Sequence, residues 1–350
     1  MHGGAGAQPR AGPVGPVDGR AAGARADPAR GLPGGALVAG LSPRMTVDLN
    51  GVVLPLPVLA AAGCLGTGRE ATLVDLHRLG GVVTMSLTLE PRKGSPTPRM
   101  AETPSGLLSW IGLQNAGVEA FLREDLPHLQ RVGVPVIASV AGSSVEEYLR
   151  VTTLLQNRPG IVALEVYLGA PDEERGRGRP FHARPDRISE VVGAVARMSR
   201  LPVFAKLPAL EPDLVESARA CVRAGAHGLT LIDGVPGMAV DAERLRPALA
   251  APVGLLSGPA VKPIALAAVY RVAREMPEVP IMGVGGISTG TDAVEFLLAG
   301  AWAVQVGTAM LVDPAAPVEI ARGILAYLKD KQLESPAALR GRLRLGREPS

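Results

Sequence analysis

PIMGVGGISTGTDAVEFLLAGAWAVQVGTAM, residues Pro280 to Met310, decides the fold. An apolar run, Ile281 to Val284, meets the pair Gly285-Gly286. A short polar segment, Ser288 to Thr291, opens an apolar-periodic helix over Asp292 to Leu298, and Ala299-Gly300-Ala301 stops it. A second apolar run, Ala303 to Val306, ends in Gly307-Thr308. The order is strand, loop, helix, strand, loop, with small residues following both strands. Such residues let backbone N–H groups approach an anion without a Cβ in the way. In a parallel βα barrel the loops after strands 7 and 8 commonly hold a ligand phosphate. Glycines also make tight turns, but two such loops in tandem favour a phosphate site.

Working outward, the same alternation recurs. Upstream, Thr46–Leu49 and Val52–Leu54 flank Asn50-Gly51, which supplies the two positive φ angles of a type I′ hairpin. Strand 1 is predicted over 58–61, with a helix at 70–79, and strand 2 over 81–86. After a long Pro-, Thr- and Gly-rich segment, 87–115, come a helix at 118–131 and strand 3 at 134–140. A helix at 145–156, strand 4 at 162–167, an irregular stretch 168–185 and a helix at 186–199 follow. Strand 5 (203–206), a helix (213–224), strand 6 (228–232), an insertion through Lys262 and a helix (263–275) lead back to the opening stretch. A last helix is predicted at 314–329. Eight strand–helix units argue for an α/β (βα)8 TIM barrel. The continuous apolar strands suit a sheet buried on both faces. Ala224-Gly225-Ala226 before strand 6 echoes Ala299-Gly300-Ala301 before strand 8. A doubly wound open sheet is the runner-up, but Gly63-Cys64-Leu65-Gly66 with Gly68 is a poor dinucleotide fingerprint.

The chain has 350 residues, 47% hydrophobic, with a net charge of +3. Residues 1–44 carry that excess: Arg10, Arg20, Arg25, Arg30 and Arg44 against Asp18 and Asp27. The remainder is neutral, so no nucleic-acid surface is expected. Residues 1–44 form a Gly/Ala/Pro/Arg-rich extension that buries too little apolar surface to offset its ordering entropy, and it is read as disordered. It lacks an apolar signal-peptide core. Met45 is the expected start of the folded part, a barrel over 45–332, and residues 333–350 read as a loose Arg-rich tail. No apolar run reaches membrane-spanning length. Two cysteines, Cys64 and Cys221, are too few for a disulfide scaffold or a cysteine-held cluster and suit a cytoplasmic protein. No metal site is read.

Barrel chemistry sits at the C-terminal strand ends. The polar residues there are Thr88, Ser139, Glu165, Tyr167, Lys206 and Asp233. Lys206 is the most telling, because a lysine ending an apolar strand before Leu207-Pro208 turns its ammonium into the mouth. It then either pairs with Asp233 or Glu165, or places a cation beside an electron-accepting ring. Cys64, in a glycine turn, reads as a packed thiol.

From Met45 to Lys329 the chain resembles the class 1 dihydroorotate dehydrogenases, and within them class 1B. The resemblance rests on TLEPRKGSPTPRMAET (Thr88–Thr103), IGLQNAG (Ile111–Gly117), LSGPAVKP (Leu256–Pro263) and the two glycine loops. It implies an FMN-containing (βα)8 barrel that oxidises dihydroorotate to orotate, a homodimeric core and an electron-transfer subunit carrying FAD and an iron–sulfur cluster. Carried over by position, the FMN phosphate falls on Gly285-Gly286 and Gly307-Thr308. Lys206 lies near flavin N1 and O2, where it stabilises charge on the reduced ring. Ala62, Ser86, Ser139, Ile232 and Gly258 fall at further flavin contacts. The substrate pocket falls on Met85, Ser109, Trp110, Ile111, Gly112, Leu113, Tyr167, Asp233 and Gly234.

That pocket departs from the family. The catalytic base, a cysteine in the family's Asn-Ile-Ser-Cys-Pro-Asn run, is Ala170 within Tyr167-Leu168-Gly169-Ala170-Pro171-Asp172. The family lysine that touches flavin and orotate is Met85, two asparagines are Ser109 and Ser139, and an Asn-Thr pair is Asp233-Gly234. Undirected drift would not concentrate in one pocket and spare the phosphate loops. Three functions fit: a flavin oxidoreductase with a different small-molecule substrate, a dihydroorotate dehydrogenase whose base is Tyr167 or Asp172, and a non-catalytic relative that binds FMN or a partner. Asp172, among Arg175, Arg177 and Arg179, reads rather as a solvated charge. Tyr167 reads equally as a space-filler. Gly286→Val is expected to block the phosphate sterically.

Overall fold

The computed structural model describes residues 43–65, 74–175, 178–209, 213–344 and 346. Eight parallel strands close into a barrel: Val58–Ala60, Gly81–Val83, Val136–Val140, Ile161–Tyr167, Val203–Leu207, Gly228–Leu231, Ile281–Val284 and Ala303–Val306. They are strands 1 to 8, and each pairs with its neighbours in chain order until strand 8 meets strand 1 through Val304↔Val58 and Val306↔Ala60. Almost all their residues are buried, as expected of a sheet covered by helices outside and filled by side chains within.

The helices end where the chain chemistry says they should. Val145–Leu155 is capped by Ser144, whose side chain accepts from Glu147 N, and Leu214–Arg223 by Asp213 in the same way. Gly290–Ala299 starts in a Thr289/Asp292 capping box and stops at Gly300 in the left-handed conformation. The last helix, Ala316–Asp330, packs on it. Gly290 meets Gly323 there so closely that a Cβ on Gly323 would lie 2.8 Å from Gly290 Cα.

The Asn50-Gly51 hairpin forms as the sequence predicts, with φ of 56° and 102° and Val47 paired to Leu54. Leu49, Val52 and Leu54 are buried against Leu59, Val83, Ile137, Phe204 and Met282, so the hairpin stoppers the N-terminal end of the barrel. Burying each such side chain contributes roughly 1.5–3 kcal/mol. The opposite end is left for ligands.

Three expectations change. Between strands 1 and 2 the described residues hold only a 3-10 turn, Leu76–Arg78, where a helix over 70–79 was predicted; residues 66–73 lie outside the described part. Residues 333–344 are not a loose tail: Pro336 and Leu339 are buried, and Gly341 N donates to Leu297 O at 3.2 Å. Arg340 also stacks its guanidinium on Trp302, 3.5 Å from the ring centroid. The long segment 87–115 and the insertion through Lys262 are partners. Met100–Thr103, Gly106–Ser109, Gly254–Ser257 and Val235–Gly237 form one antiparallel sheet, with Leu108 paired to Leu256. The predicted extension lies outside the described residues except for its end, the turn Pro43–Met45. No helix among the described residues is long and apolar enough to cross a membrane.

Candidate active site

A cavity of about 290 Å3 opens at the C-terminal ends of the strands. The barrel contributes Ala62, Cys64, Lys206, Ile232, Asp233 and Gly234. The strand 7 and strand 8 loops contribute Gly285, Gly286, Gly307 and Thr308. The four-stranded sheet walls the other side with Met100, Leu107, Ser109, Leu255, Leu256 and Ser257, beside Ile111 and Gly258.

Among the described residues, Lys206 and Asp233 are the only charged side chains lining this cavity. Lys206 is 7% exposed, and its Nζ lies 3.7 Å from Oε1 of Glu165, which is fully buried on the neighbouring strand. Thr230 Oγ1 and Gln305 Nε2 donate to the other Glu165 oxygen at 2.8 and 3.0 Å. Four strands thus hold one carboxylate beneath the lysine. Burial pulls the Lys206 ammonium down, but Glu165, Asp233 and Cys64 together outweigh it, and its pKa ends above the ordinary value. The lysine stays charged.

The Tyr167 phenol lies close to the Asp233 carboxylate. Burial first, then the Asp233 charge, push the Tyr167 phenol well above its usual pKa, so it is a neutral donor at physiological pH. Gly169 makes room for the ring, since a Cβ there would lie 2.5 Å from Tyr167 Cζ. Cys64 lines the cavity as a thiol, its pKa pushed up to about 11 by burial despite Lys206.

The anion loops are built tightly. Gly285 and Gly286 have φ of 128° and 72°, conformations that L side chains rarely adopt. A Cβ on Gly286 would fall 2.8 Å from Gly258 O and Lys262 N. The reason for glycine is therefore backbone strain and helix packing, and Gly286→Val would disrupt the protein itself before any ligand. The helix Lys262–Glu275 begins beside Gly286, and Thr308–Val312 begins at Gly307. Thr308 Oγ1 donates to Ser257 Oγ at 2.8 Å, tying strand 8 to the covering sheet.

The remaining sequence candidates fall outside the cavity lining. Ser86 and Ser139 hydrogen-bond each other through their hydroxyls at 2.9 Å. Met85 is half-buried, and Trp110 is 43% exposed. Gly112 and Leu113 have φ of 71° and 56° in a turn fixed by Ser95 N donating to Ile111 O. Ala170 is buried in the core.

Asp172 is a correction. It is neither a solvated charge nor an available base, being 1% exposed and forked onto the fully buried Arg187. Arg187 Nε and Nη2 donate to its two oxygens at 2.6 and 2.9 Å, and Glu174 N and Arg175 N donate to Oδ1 at 3.1 Å. Hydrogen bonding to Asp172 outweighs burial and holds the Arg187 pKa above its ordinary value. Arg177 lies outside the described residues. Sequence reasoning missed Arg187, Thr230 and Gln305. The last two interrupt apolar strands, and that interruption was the available signal.

The family model for dihydroorotate dehydrogenase matches residues 44–328. A dihydroorotate dehydrogenase B (NAD(+)) catalytic subunit of Geotalea daltonii is 44% identical over 304 residues, 87% of this chain and 99% of that protein. The subunit of the same name from Pelobacter propionicus is 45% identical over 304 residues, with the same coverage. That of Geobacillus kaustophilus is 45% identical over 288 residues, 82% of this chain and 91% of that protein.

Proposed function

We propose a function from one premise: the chain belongs to the dihydroorotate dehydrogenase family and is of the class 1B kind. It is an oxidoreductase of that family, and our reading is that it binds FMN and acts on a substrate other than dihydroorotate. One observation carries this. A single cavity holds a buried, charged lysine and two glycine loops at helix starts, while the position of the family base is Ala170.

The residues suit FMN. Small side chains, Ala62, Gly234, Gly258, Gly285 and Gly307, leave room for a flat ring. The loops after strands 7 and 8 would take the phosphate through backbone N–H groups, aided by the starts of two helices. When bound, the flavin ring supplies hydride acceptance. Lys206 would set a fixed positive charge beside it, kept in place by Glu165, Thr230 and Gln305. Such a pre-oriented charge in a water-poor site is worth more than one in solvent. The covering sheet would exclude water from the mouth.

The three residues the sequence offers as the base for dihydroorotate oxidation do not serve as one. That oxidation removes a proton from C5 and a hydride from C6, and a positioned base contributes roughly 10²–10⁴-fold. Ala170 cannot accept a proton, Asp172 is locked on Arg187, and Tyr167 is a neutral donor. The relatives are named as catalytic subunits, which supports a separate electron-transfer subunit as partner. The test has two steps. The purified protein should be yellow or take up added FMN; colourless protein that takes up none refutes the cofactor. On anaerobic mixing with dihydroorotate the flavin band should persist, and rapid bleaching would return the chain to dihydroorotate oxidation.

A further inference from the structure

The charge balance of the cavity says more about what enters it. Three ionisable groups meet there: Lys206, Glu165 and Asp233. The Lys206 charge faces Glu165, which is buried and cannot move away. Asp233 lines the cavity with no second cation on the lining among the described residues. The Tyr167 phenol is one polar neighbour beside it, whereas a carboxylate offers about four acceptor sites. Ile232 and Gly234 flank Asp233, and its own backbone N is spent on Leu207 O at 3.0 Å. Met100, Leu107, Leu255 and Leu256 make the facing wall apolar.

Among the described residues, an anionic substrate in this cavity meets one negative charge, and the positive one is already faced by Glu165. Like-charge juxtaposition is a strong device for rejecting a ligand. A donor meets an acceptor with capacity to spare, in a water-poor site where a hydrogen bond to a charged group is stronger than between neutral groups.

Resting on the oxidoreductase reading above, we infer that Asp233, oriented by Tyr167, is the specificity-determining residue and selects a neutral or cationic substrate that presents an N–H donor, rejecting carboxylates. Asp233 is thus a recognition group, and Tyr167 a positioning residue that acts through it.

Two rings that differ by one carboxylate test this: orotate, and uracil, which has hydrogen in its place. Calorimetric titration of the purified full chain should show uracil bound at least about tenfold more tightly than orotate. Asp233→Asn keeps the shape beside Tyr167 but removes the charge. It should raise orotate affinity by about tenfold or more, a difference of about 1.4 kcal/mol. Tyr167→Phe should weaken uracil binding, and Tyr167→His, which can still donate to Asp233, should restore part of it. Wild-type protein that binds orotate as tightly as uracil overturns the inference. So does an orotate affinity unchanged by Asp233→Asn, including no binding by either form. The two readings fail separately: colourless protein refutes the cofactor, while calorimetry still reports whether Asp233 selects by charge.

Discussion

Replacing Asp172 by alanine should cost stability, not chemistry. The side chain is 1% exposed and its partner Arg187 is fully buried, so the substitution leaves a guanidinium without its forked carboxylate. Breaking a buried pair by removing one member costs about 3–5 kcal/mol, most of it the penalty of the stranded charge. Here the penalty is softened. Glu174 and Glu190 still accept from Arg187 at 2.7 and 2.6 Å, and both are more than a third exposed, so they hold the guanidinium through partly solvated contacts. The low end, about 3 kcal/mol, is the expected loss. For a barrel of this size 1 kcal/mol moves the melting temperature by about 2 °C, so a fall of about 6 °C is expected. The effect should reach the cavity weakly. Arg187 lies over the Phe181 ring, Phe181 meets Tyr148 edge-on, and Tyr148 donates to Tyr167 O at 2.5 Å. Asp172→Asn, which keeps volume and one hydrogen bond, should lose less. Thermal and urea unfolding measure both variants. A loss under about 1 kcal/mol would refute the reasoning. So would a variant that keeps its melting temperature but loses turnover, since that would make Asp172 a catalytic group.

Other outcomes follow from the same structure. Tyr167 and Lys206 hold their protons more tightly folded than unfolded, so their contribution is fully present below their ordinary pKa values of 10.0 and 10.5. It is lost as pH rises through the folded values, and Tyr167→Phe should flatten the fall in melting temperature above about pH 10. Lys206→Met strands Glu165 and should destabilise by about 3–5 kcal/mol, whereas Lys206→Met with Glu165→Leu should recover most of that stability yet still bind flavin poorly; equal loss in both would disprove the pairing. Cys64, raised from 9.0 to about 11, should carry about a hundredfold less thiolate at pH 8 and alkylate correspondingly slowly, with Cys221 buried and silent. Fast labelling at that pH would contradict the burial of the thiol.

Much of this protein was legible in its residues. Apolar runs at regular intervals, each ending in small residues, specify a parallel barrel because both faces of its sheet are buried. Asn50-Gly51 specifies its hairpin because few other pairs accept two positive φ angles. The glycine loops after strands 7 and 8 could be located by local chemistry, and so could Lys206, a lone cation at the end of an apolar strand. What stayed hidden was every fact that depends on which distant segments meet. Segments 100–109 and 235–257 look irregular because the pairing that joins their two hairpins, Leu108 with Leu256, links residues far apart in the chain. Asp172 looks solvated because Arg175 and Arg179, close to it in sequence, are exposed, while the arginine that buries it comes from the following helix. The crowding beside Gly286 stayed hidden because the sequence does not reveal that Gly258 O and Lys262 N lie where a Cβ would go. Local pattern reports a residue's own conformational preference and its solubility; burial, pairing and charge balance are set by neighbours that only chain closure supplies.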